Sequence, residues 1–218
     1  MLSNIVPPYV ATVAVWSNSP VPLLLEEEAA QILTATESRK REFSAGRWCA
    51  REALKKLGYS PTPILRGARH EPIWPYGIVG SITHCERYIT AAVAKTSDCR
   101  TIGIDAEVYE ELPCGVLESI AVEEEVHWLM TAPAGVHWSR IIFSAKEALF
   151  KAWYPLTETW LDFKDALIRF EPSESTFIAQ IRGDKEGLSD LGLPELKGRF
   201  LIRSGVLVTS LVVSPSSD

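Results

Sequence analysis

The chain has 218 residues, 46% of them hydrophobic and 23% charged, so it can bury a sizeable core as one large domain or two fused small ones. A formal net charge of -6 argues against nucleic acid as a partner, because proteins that bind it usually carry a broad basic face. The four cysteines lie far apart without zinc or redox spacing, so we expect reduced thiols. Without a signal-peptide pattern or an apolar run approaching 18 residues, we expect a soluble, cytoplasmic protein with no membrane partner.

Hydrophobic periodicity predicts that strands and helices are mixed in the first half of the chain. The predicted order is a strand, a short helix, a long helix, a hairpin and a third strand. The corresponding ranges are 9–16, a helix starting near Glu26, 36–57, 78–83 paired with 88–94, and 101–107.

The second half is predicted to repeat this order, although no sequence period supports a repeat. One helix is expected around 116–130 and a longer one over 138–154, followed by strands at 166–171, 177–181, 200–203 and 206–213. The sequence therefore predicts an α+β fold of two similar lobes, residues 1–107 and 108–218, with a site at their junction.

Two arginines of the long helix 36–57 lie on the face that should turn towards the core. At 100° per residue, Arg39 and Arg47 share a stripe with Phe43. The arginines could extend from the edge of this stripe into water. Alternatively, they point into a crevice that holds phosphate, for which the planar guanidinium is well suited.

A pair of carboxylates follows two isoleucines on the strand 101–107. Alternation along a strand puts Asp105 and Glu107 on the same face, with backbones roughly 7 Å apart. Such a pair is unfavourable unless water or a cation lies between the charges. A solvated pair at a strand end and a cation site therefore both remain open.

A third carboxylate, Glu147, lies on the helix 138–154. It shares one face with Phe143, Phe150, Lys151 and Tyr154, and the opposite side is also apolar, so we expect a largely buried helix. An ordinary surface salt bridge from Glu147 to Lys151 is the alternative.

The three carboxylates could meet in one crevice. Each pair about 6 Å apart would then repel by roughly 3 kcal/mol at an effective dielectric near 20, and a divalent cation would remove that penalty. All-oxygen ligands favour Mg²⁺, or Mn²⁺. His84 ends the strand after Gly80, and no other histidine has a zinc-site spacing with it.

Together these residues resemble the Sfp-type 4'-phosphopantetheinyl transferases, and more closely their enterobactin synthetase component D branch. The matching segments occur in family order. They are 39–43 with Arg47 and Ala50, 71–75, 80–85, 102–107 and 143–153.

The resemblance implies a pseudo-twofold pair of α+β lobes with coenzyme A in the cleft between them. The implied reaction is the Mg²⁺-dependent transfer of 4'-phosphopantetheine from coenzyme A to a serine of an apo acyl or peptidyl carrier protein. Adenosine 3',5'-bisphosphate would be released. A fused two-lobe enzyme has no need to dimerise, so we expect a monomer.

The resemblance also implies roles for individual residues. The metal would be held by Asp105, Glu107, Glu147 and the backbone of Ala106. Glu147 and Lys151 would be catalytic, as proton acceptor and as stabiliser or proton donor for the leaving group. Coenzyme A would be contacted by Arg39, Arg47, Arg66, Gly67, Ala68, Arg69, Thr83, His84, Asp105, Lys146, Glu147, Lys151 and Leu161.

Within this set, Arg39, Arg47 and His84 would bind the phosphates and Thr83 would lie near them. Arg66 and the turn after it would meet the adenosine end. Lys146 and Lys151 would supply charge near the pyrophosphate, and Leu161 would border the pantetheine arm. Many family members have a Gly-Lys-Pro-type adenine loop, whereas residues 67–72 here read Gly-Ala-Arg-His-Glu-Pro.

Two other functions fit part of the pattern. A metal-dependent phosphodiesterase or nuclease would also gather carboxylates and a lysine, although Lys151 lies four residues after Glu147 rather than in an acid-x-Lys strand motif. A non-catalytic module that binds carrier proteins would require no coenzyme A. The sequence does not distinguish fatty-acid, polyketide and nonribosomal-peptide carriers, the last of which include those of siderophore biosynthesis.

Overall fold

A computed structural model describes residues 1–20, 23–183 and 195–215. Helices are mixed with two antiparallel sheets, which confirms the expected α+β class. The strands are β1 (Ala11–Trp16), β2 (Ile78–His84), β3 (Tyr88–Lys95), β4 (Thr101–Val108), β5 (Ala166–Glu171), β6 (Thr176–Ile181), β7 (Glu195–Arg203) and β8 (Val206–Val213). The helices are α1 (Glu26–Ala30), α2 (Glu37–Lys56), α3 (Val116–Ile120), α4 (Glu123–Leu129) and α5 (Trp138–Thr157).

The first sheet has the order β1-β3-β2 and packs against α2. This helix begins where the sequence predicts, because the Thr36 hydroxyl accepts a hydrogen bond from the amide of Arg39. It ends at Lys56 and is followed by Leu57 and by Gly58, which has a left-handed φ of 85°. The buried face of α2 is rich in alanine, including Ala50 and Ala53, so the helix lies close to the sheet.

The second sheet has the order β4-β8-β7-β6-β5 and packs against α5. Its core is aromatic and branched, with Trp153, Leu149 and Phe177 fully buried. Each sheet thus packs against one helix of 20 residues. The pseudo-twofold relation between two lobes stays a prediction.

The two sheets meet where β2 approaches β4, and side-chain hydroxyls join them. Ser81 Oγ accepts from the amide of Ile104 at 3.2 Å, and Thr83 Oγ1 accepts from the amide of Ala106 at 3.1 Å. Strand β4 is hydrogen-bonded to β8 along its other edge, so it belongs to the sheet of the C-terminal strands. The division of the chain at residue 107 remains a prediction.

The expected helix over 116–130 is wrong, because two short helices, α3 and α4, occupy this range. The backbone is extended at Ala121 and Val122. Glu125 accepts a hydrogen bond from the amide of Val122, which starts a new helix at that point.

Helix α5 is also less buried than expected. Its face with Glu147 and Lys151 is only half-buried, because that face lines a cavity. The four cysteines are free thiols, as expected. Within the described residues, no helix is both long and apolar enough to cross a bilayer.

Candidate functional site

Helix α5 runs antiparallel to β4 and contacts it at regular intervals. Two strand residues advance about 6.8 Å and four helix residues about 6.0 Å, so the side chains stay nearly in step. We call this contact the β4–α5 ladder, and its four pairs are Glu107 with Arg140, Asp105 with Ser144, Gly103 with Ala148, and Thr101 with Ala152.

Gly103 allows the close approach of α5 to β4. A Cβ atom at this position would lie 1.8 Å from the carbonyl oxygen of Ala148, which is inside van der Waals contact. Glycine is therefore required here by space alone. The ladder in turn fixes how far the carboxylates of β4 lie from Glu147 on α5.

Asp105 is buried at the centre of the site, where both of its carboxylate oxygens accept hydrogen bonds. Oδ1 accepts from Thr83 Oγ1 at 3.1 Å and from Lys151 Nζ at 2.6 Å, and Oδ2 accepts from Ser144 Oγ at 2.8 Å. Burial by itself lowers the pKa of Lys151, but the charges of Asp105 and Glu147 outweigh burial and raise it. Lys151 is thus a firmly charged ammonium among carboxylates.

Glu107 lies at the end of β4 and pairs with Arg140. Its Oε2 accepts from Arg140 Nη1 at 2.9 Å, and Arg140 also donates to the carbonyls of Glu110 and Glu111. Burial, and then the charge of Asp105, raise the pKa of Glu107 to about 7 against the opposing effect of Arg140. Arg140 therefore compensates only part of the unfavourable free energy of ionising Glu107.

Glu147 faces the same region from α5. Its Oε2 lies 3.9 Å from Lys151 Nζ, so the i,i+4 ion pair of the surface alternative is present, but the pair lines a cavity. Burial raises the pKa of Glu147, Lys151 lowers it, and the charge of Asp105 raises it further. Asp105 thus disfavours ionisation of both Glu107 and Glu147.

The donor chemistry of these carboxylates fits a hard divalent cation, since they are crowded oxygen ligands whose ionisation a cation would favour. The side chains do not converge into a finished ligand set. In the part of the chain that the structure describes, no three acidic, histidine or cysteine side chains form a group that could hold an ion. Lys151 supplies the positive charge beside Asp105.

Arg39 and His84 meet at the outer end of the site. Arg39 Nη1 lies 2.7 Å from His84 Nε2, and a guanidinium only donates, so Nε2 is the acceptor and the neutral ring carries its proton on Nδ1. Burial is the main cause that lowers the pKa of His84, with Glu42 opposing and Arg39 assisting. This end of the site combines an exposed guanidinium with an imidazole.

Arg47 does not extend into water, so that alternative is wrong for this residue. It is buried, its Nε donates to the carbonyl of Ile64 at 2.7 Å, and its guanidinium carbon lies 4.3 Å from the centre of the Phe43 ring. Burial lowers the pKa of Arg47 to about 10; Glu28 opposes this, while Arg66 and Arg39 add to it. These two guanidinium groups therefore repel that of Arg47, as expected of a site for an anion.

The residues after Arg66 form a tight turn closed by Glu71. The amide of Gly67 donates to the carbonyl of Glu71 at 2.8 Å, and the amide of Arg69 donates to its carboxylate at 2.8 Å. Ala68 and Arg69 are exposed. Their predicted contact with adenosine stays a prediction.

A cavity of about 320 Å³ lies between this turn, β2 and α5. It joins a charged wall to an aromatic one, and its main lining residues are Arg69, His70, Glu71, Trp74, Glu147, Phe150, Lys151, Tyr154 and Trp160. A smaller cavity of about 140 Å³ continues past Trp160 to Leu161 and Phe163. A larger groove of about 550 Å³ on β6, β7 and β8 contains none of the predicted site residues.

Two predicted contacts of coenzyme A have other partners. Lys146 is buried, and its Nζ donates to the carbonyl of Ile120 at 2.8 Å, to Glu125 at 2.7 Å and to the carbonyl of Phe163 at 2.9 Å. An ammonium has three N–H groups, so none is left for a pyrophosphate. The Thr83 hydroxyl is likewise bonded to Asp105 and to the amide of Ala106.

Arg140, Ser144 and Thr209, which lie around the carboxylates of β4, were among the site residues missed by the sequence reasoning. Ser144 lies inside the matching segment 143–153, and Arg140 lies one turn before it, so helical spacing from Glu147 and Lys151 could have indicated both. Thr209 is placed opposite Asp105 only by the pairing of β4 with β8, which is a long-range contact without a local signal.

Comparison with known proteins gives matches along most of the chain. The model of the 4'-phosphopantetheinyl transferase N-terminal domain matches residues 27–94, and that of the 4'-phosphopantetheinyl transferase superfamily matches residues 101–192. The chain is 44% identical to 4'-phosphopantetheinyl transferase PptT of Mycobacterium tuberculosis (strain ATCC 25618 / H37Rv), over 91% of this chain and 89% of the relative.

Two further relatives show how the similarity varies within the family. The chain is 40% identical to 4'-phosphopantetheinyl transferase Svp of Streptomyces mobaraensis over 98% of this chain and 89% of the relative. It is 35% identical to enterobactin synthase component D of Escherichia coli (strain K12), over 56% of this chain and 59% of that protein. PptT and Svp are therefore nearer relatives than the enterobactin branch, and the chain belongs to the 4'-phosphopantetheinyl transferase superfamily.

Proposed function

We propose that this enzyme transfers the 4'-phosphopantetheine group of coenzyme A to a serine of an apo acyl or peptidyl carrier protein, with Mg²⁺ or Mn²⁺ as cofactor. The observation that carries the proposal is the meeting of Asp105, Glu147 and Lys151, the last two of which line a cavity, together with Arg39 and Arg66 near the buried guanidinium of Arg47. A diphosphate ester can be bound directly by arginines and through a cation that carboxylates hold, so both kinds of group suit this substrate.

The arginine end would bind the phosphates of coenzyme A. Arg39 and Arg66 each repel the Arg47 guanidinium, so a phosphate between them would relieve that repulsion. His84 extends this end through its contact with Arg39. The turn of Gly67, Ala68 and Arg69 would lie against the adenosine.

Asp105, Glu107 and Glu147 would hold the divalent cation. The amide of Ala106 points towards Thr83, and the N–H and C=O of a strand residue lie on the same edge, so the Ala106 carbonyl faces this junction as well. The bound cation would offset negative charge on the diphosphate of coenzyme A.

The chain's own residues would move the protons. Glu147, whose raised pKa suits a proton acceptor, would take the proton of the carrier's serine, directly or through a water. The serine oxygen would form its bond to the β-phosphorus, and the bond from that phosphorus to the bridging oxygen would break. Lys151 would stabilise or protonate the departing adenosine 3',5'-bisphosphate.

The pantetheine arm would follow the aromatic wall of the cavity. Phe150, Tyr154 and Trp160 line the larger cavity, and Leu161 lines the smaller one beyond it. Apolar walls suit the arm's methyl and methylene groups. We propose that one chain carries the complete site and acts as a monomer in the cytoplasm. Light scattering of the purified enzyme would test the monomeric state.

The central experiment incubates the enzyme with coenzyme A, Mg²⁺ and a panel of apo fatty-acid, polyketide and nonribosomal-peptide carriers. Mass spectrometry should show one added phosphopantetheine group per modified carrier, with none when coenzyme A is omitted or Asp105→Ala replaces the wild type. Carriers that all keep their mass would contradict the proposal. Tight carrier binding without transfer would indicate a binding module, and release of nucleotides from DNA or RNA would indicate a nuclease.

A further inference from the structure

A chain of buried hydroxyl groups lies behind the carboxylate of Asp105. Thr209 is the residue opposite Asp105 in the pairing of β4 with β8, and Ser144 reaches both from α5. Ser144 Oγ lies 2.8 Å from Asp105 Oδ2 and 2.9 Å from Thr209 Oγ1. Asp105 is 4% exposed, and Ser144 and Thr209 are not exposed at all.

Counting protons gives this chain a direction. An ionised Asp105 can only accept, so the Ser144 hydroxyl donates to Oδ2. The single hydroxyl proton of Thr209 is then available only to Ser144, either to its Oγ at 2.9 Å or to its carbonyl oxygen at 3.0 Å. Thr209 therefore orients Ser144, and Ser144 orients Asp105.

The two oxygens of Asp105 are engaged from different sides. Thr83 and the cavity-lining Lys151 donate to Oδ1, whereas Ser144 donates to Oδ2. A carboxylate bonded at both oxygens cannot rotate freely about its last torsion. Without Ser144, only the pair at Oδ1 would restrain the plane of the group.

We propose that Ser144, held by Thr209, is a positioning residue that fixes the Asp105 carboxylate in the orientation needed to bind the divalent cation. The inference rests on the proposed function, because it assigns Asp105 to the metal. Partners of this kind orient metal ligands, and their loss typically weakens metal affinity roughly ten- to a hundredfold.

The test measures binding of Mn²⁺ alone by titration calorimetry, together with thermal unfolding, for the full chain and three variants. Ser144→Ala should weaken Mn²⁺ binding by roughly ten- to a hundredfold. Thr209→Val keeps the shape of the side chain and leaves the Ser144 hydroxyl in place, so the loss of Mn²⁺ affinity should be smaller. Ser210→Ala removes another buried β8 hydroxyl, which donates to the carbonyl of Ile5, and should leave the Mn²⁺ affinity unchanged.

A second readout separates positioning from a general loss of structure. At saturating metal, the KM for coenzyme A should be the same for wild type and Ser144→Ala, because the arginine end is untouched. Equal Mn²⁺ affinity of wild type and Ser144→Ala would overturn the inference while leaving the proposed function intact. If Ser144→Ala does not fold, Thr209→Val decides, and an unchanged affinity overturns the inference. A wild type that binds no Mn²⁺ and modifies no carrier would refute the proposed function itself.

Discussion

At the scale of single residues, Glu147 is placed where a change of charge should separate catalysis from binding. Glu147→Gln keeps the shape of the side chain but cannot accept a proton from the carrier's serine. At saturating Mg²⁺ we expect kcat to fall by roughly 10²–10⁴, the usual contribution of a general base, while the KM for coenzyme A changes little.

The matched control is Glu52→Gln, which alters an exposed ion pair with Lys55 on α2 and should leave both constants unchanged. Steady-state kinetics with one carrier protein checks both variants. A parallel loss of rate and coenzyme A affinity in Glu147→Gln would mean that Glu147 acts as a ligand without accepting the proton.

Glu107 should make the metal-free protein sensitive to pH. Its pKa is raised from 4.5 to about 7, chiefly by burial and then by Asp105, so the folded state binds this proton more tightly than the unfolded chain. The stabilisation is complete below the unfolded pKa and is lost as the pH rises through about 7.

Urea unfolding of metal-free wild type and Glu107→Gln at several pH values tests this expectation. Between about pH 5 and about pH 8, the free energy of unfolding of the wild type should decline relative to that of the variant. Glu123→Gln, an exposed change on α4, should run parallel to the wild type. Parallel curves for Glu107→Gln as well would contradict the raised pKa.

At the scale of elements, the ladder between β4 and α5 depends on Gly103. Gly103→Ala places a methyl group against the backbone of Ala148, which cannot turn aside as a side chain could. We expect a loss of about 3 kcal/mol or more in unfolding free energy, since overpacking a tight core costs about 1–3 kcal/mol even where side chains adjust.

The control for this change is Gly115→Ala, where nothing lies within 4 Å and the only obstacle is a left-handed φ of 83°. That strain costs roughly 1–2 kcal/mol. Chemical denaturation of both variants gives the comparison. A Gly103→Ala protein as stable as Gly115→Ala would show that α5 can move away from β4 without penalty.

Local signals explain why some elements could be predicted and others could not. Thr36 marks the start of α2 and Gly58 marks its end. Both act through contacts within a few residues, and these can be read from the sequence. The break between α3 and α4 depends on Glu125, whose carboxylate also accepts from Lys146 and from the amide of Ile168. Partners 21 and 43 residues away leave no local pattern.

At the scale of the whole molecule, the hydroxyls of Ser81 and Thr83 join the sheets, and that of Thr83 also contacts the site through Asp105. Thr83→Val should leave the buried amide of Ala106 unpaired and free Asp105 from one donor, whereas Ser81→Ala should only leave the amide of Ile104 unpaired. Each change should cost about 1–3 kcal/mol of stability.

Only Thr83→Val should also weaken Mn²⁺ binding. Denaturation and calorimetry on the two variants would separate the effects. Equal Mn²⁺ affinity in both variants would show that Thr83 joins the sheets without orienting Asp105.

A paired feature supports the expectation of two similar lobes. Glu28 near the start of α1 and Glu125 near the start of α4 are both buried, and each accepts a hydrogen bond from the amide three residues before it. Each is also paired with a cation of the following long helix, Arg51 in α2 and Lys146 in α5. Lys146 is thus part of this pairing, which the motif alone could not reveal.

Sequence reasoning selected Asp105, Glu107 and Glu147 as candidates because charges on faces expected to be apolar demand an explanation. It could not say that Lys151 and Arg140 already compensate part of that charge, since those distances depend on how α5 lies on β4. The chemistry of a residue is visible in its type and spacing. Its partner is a property of the tertiary structure.

A strand and a helix advance by different distances per residue, so paired side chains on the two elements can stay in register over only a short length. Each step of the ladder accumulates a mismatch of about 0.8 Å, so three steps accumulate roughly 2.4 Å. The contact is tightest at Gly103, and the long side chain of Arg140 spans the outer end to Glu107. Side chains further along a longer strand would no longer lie opposite side chains of α5. Acidic residues of β4 that act with Glu147 are therefore restricted to the few positions around Gly103.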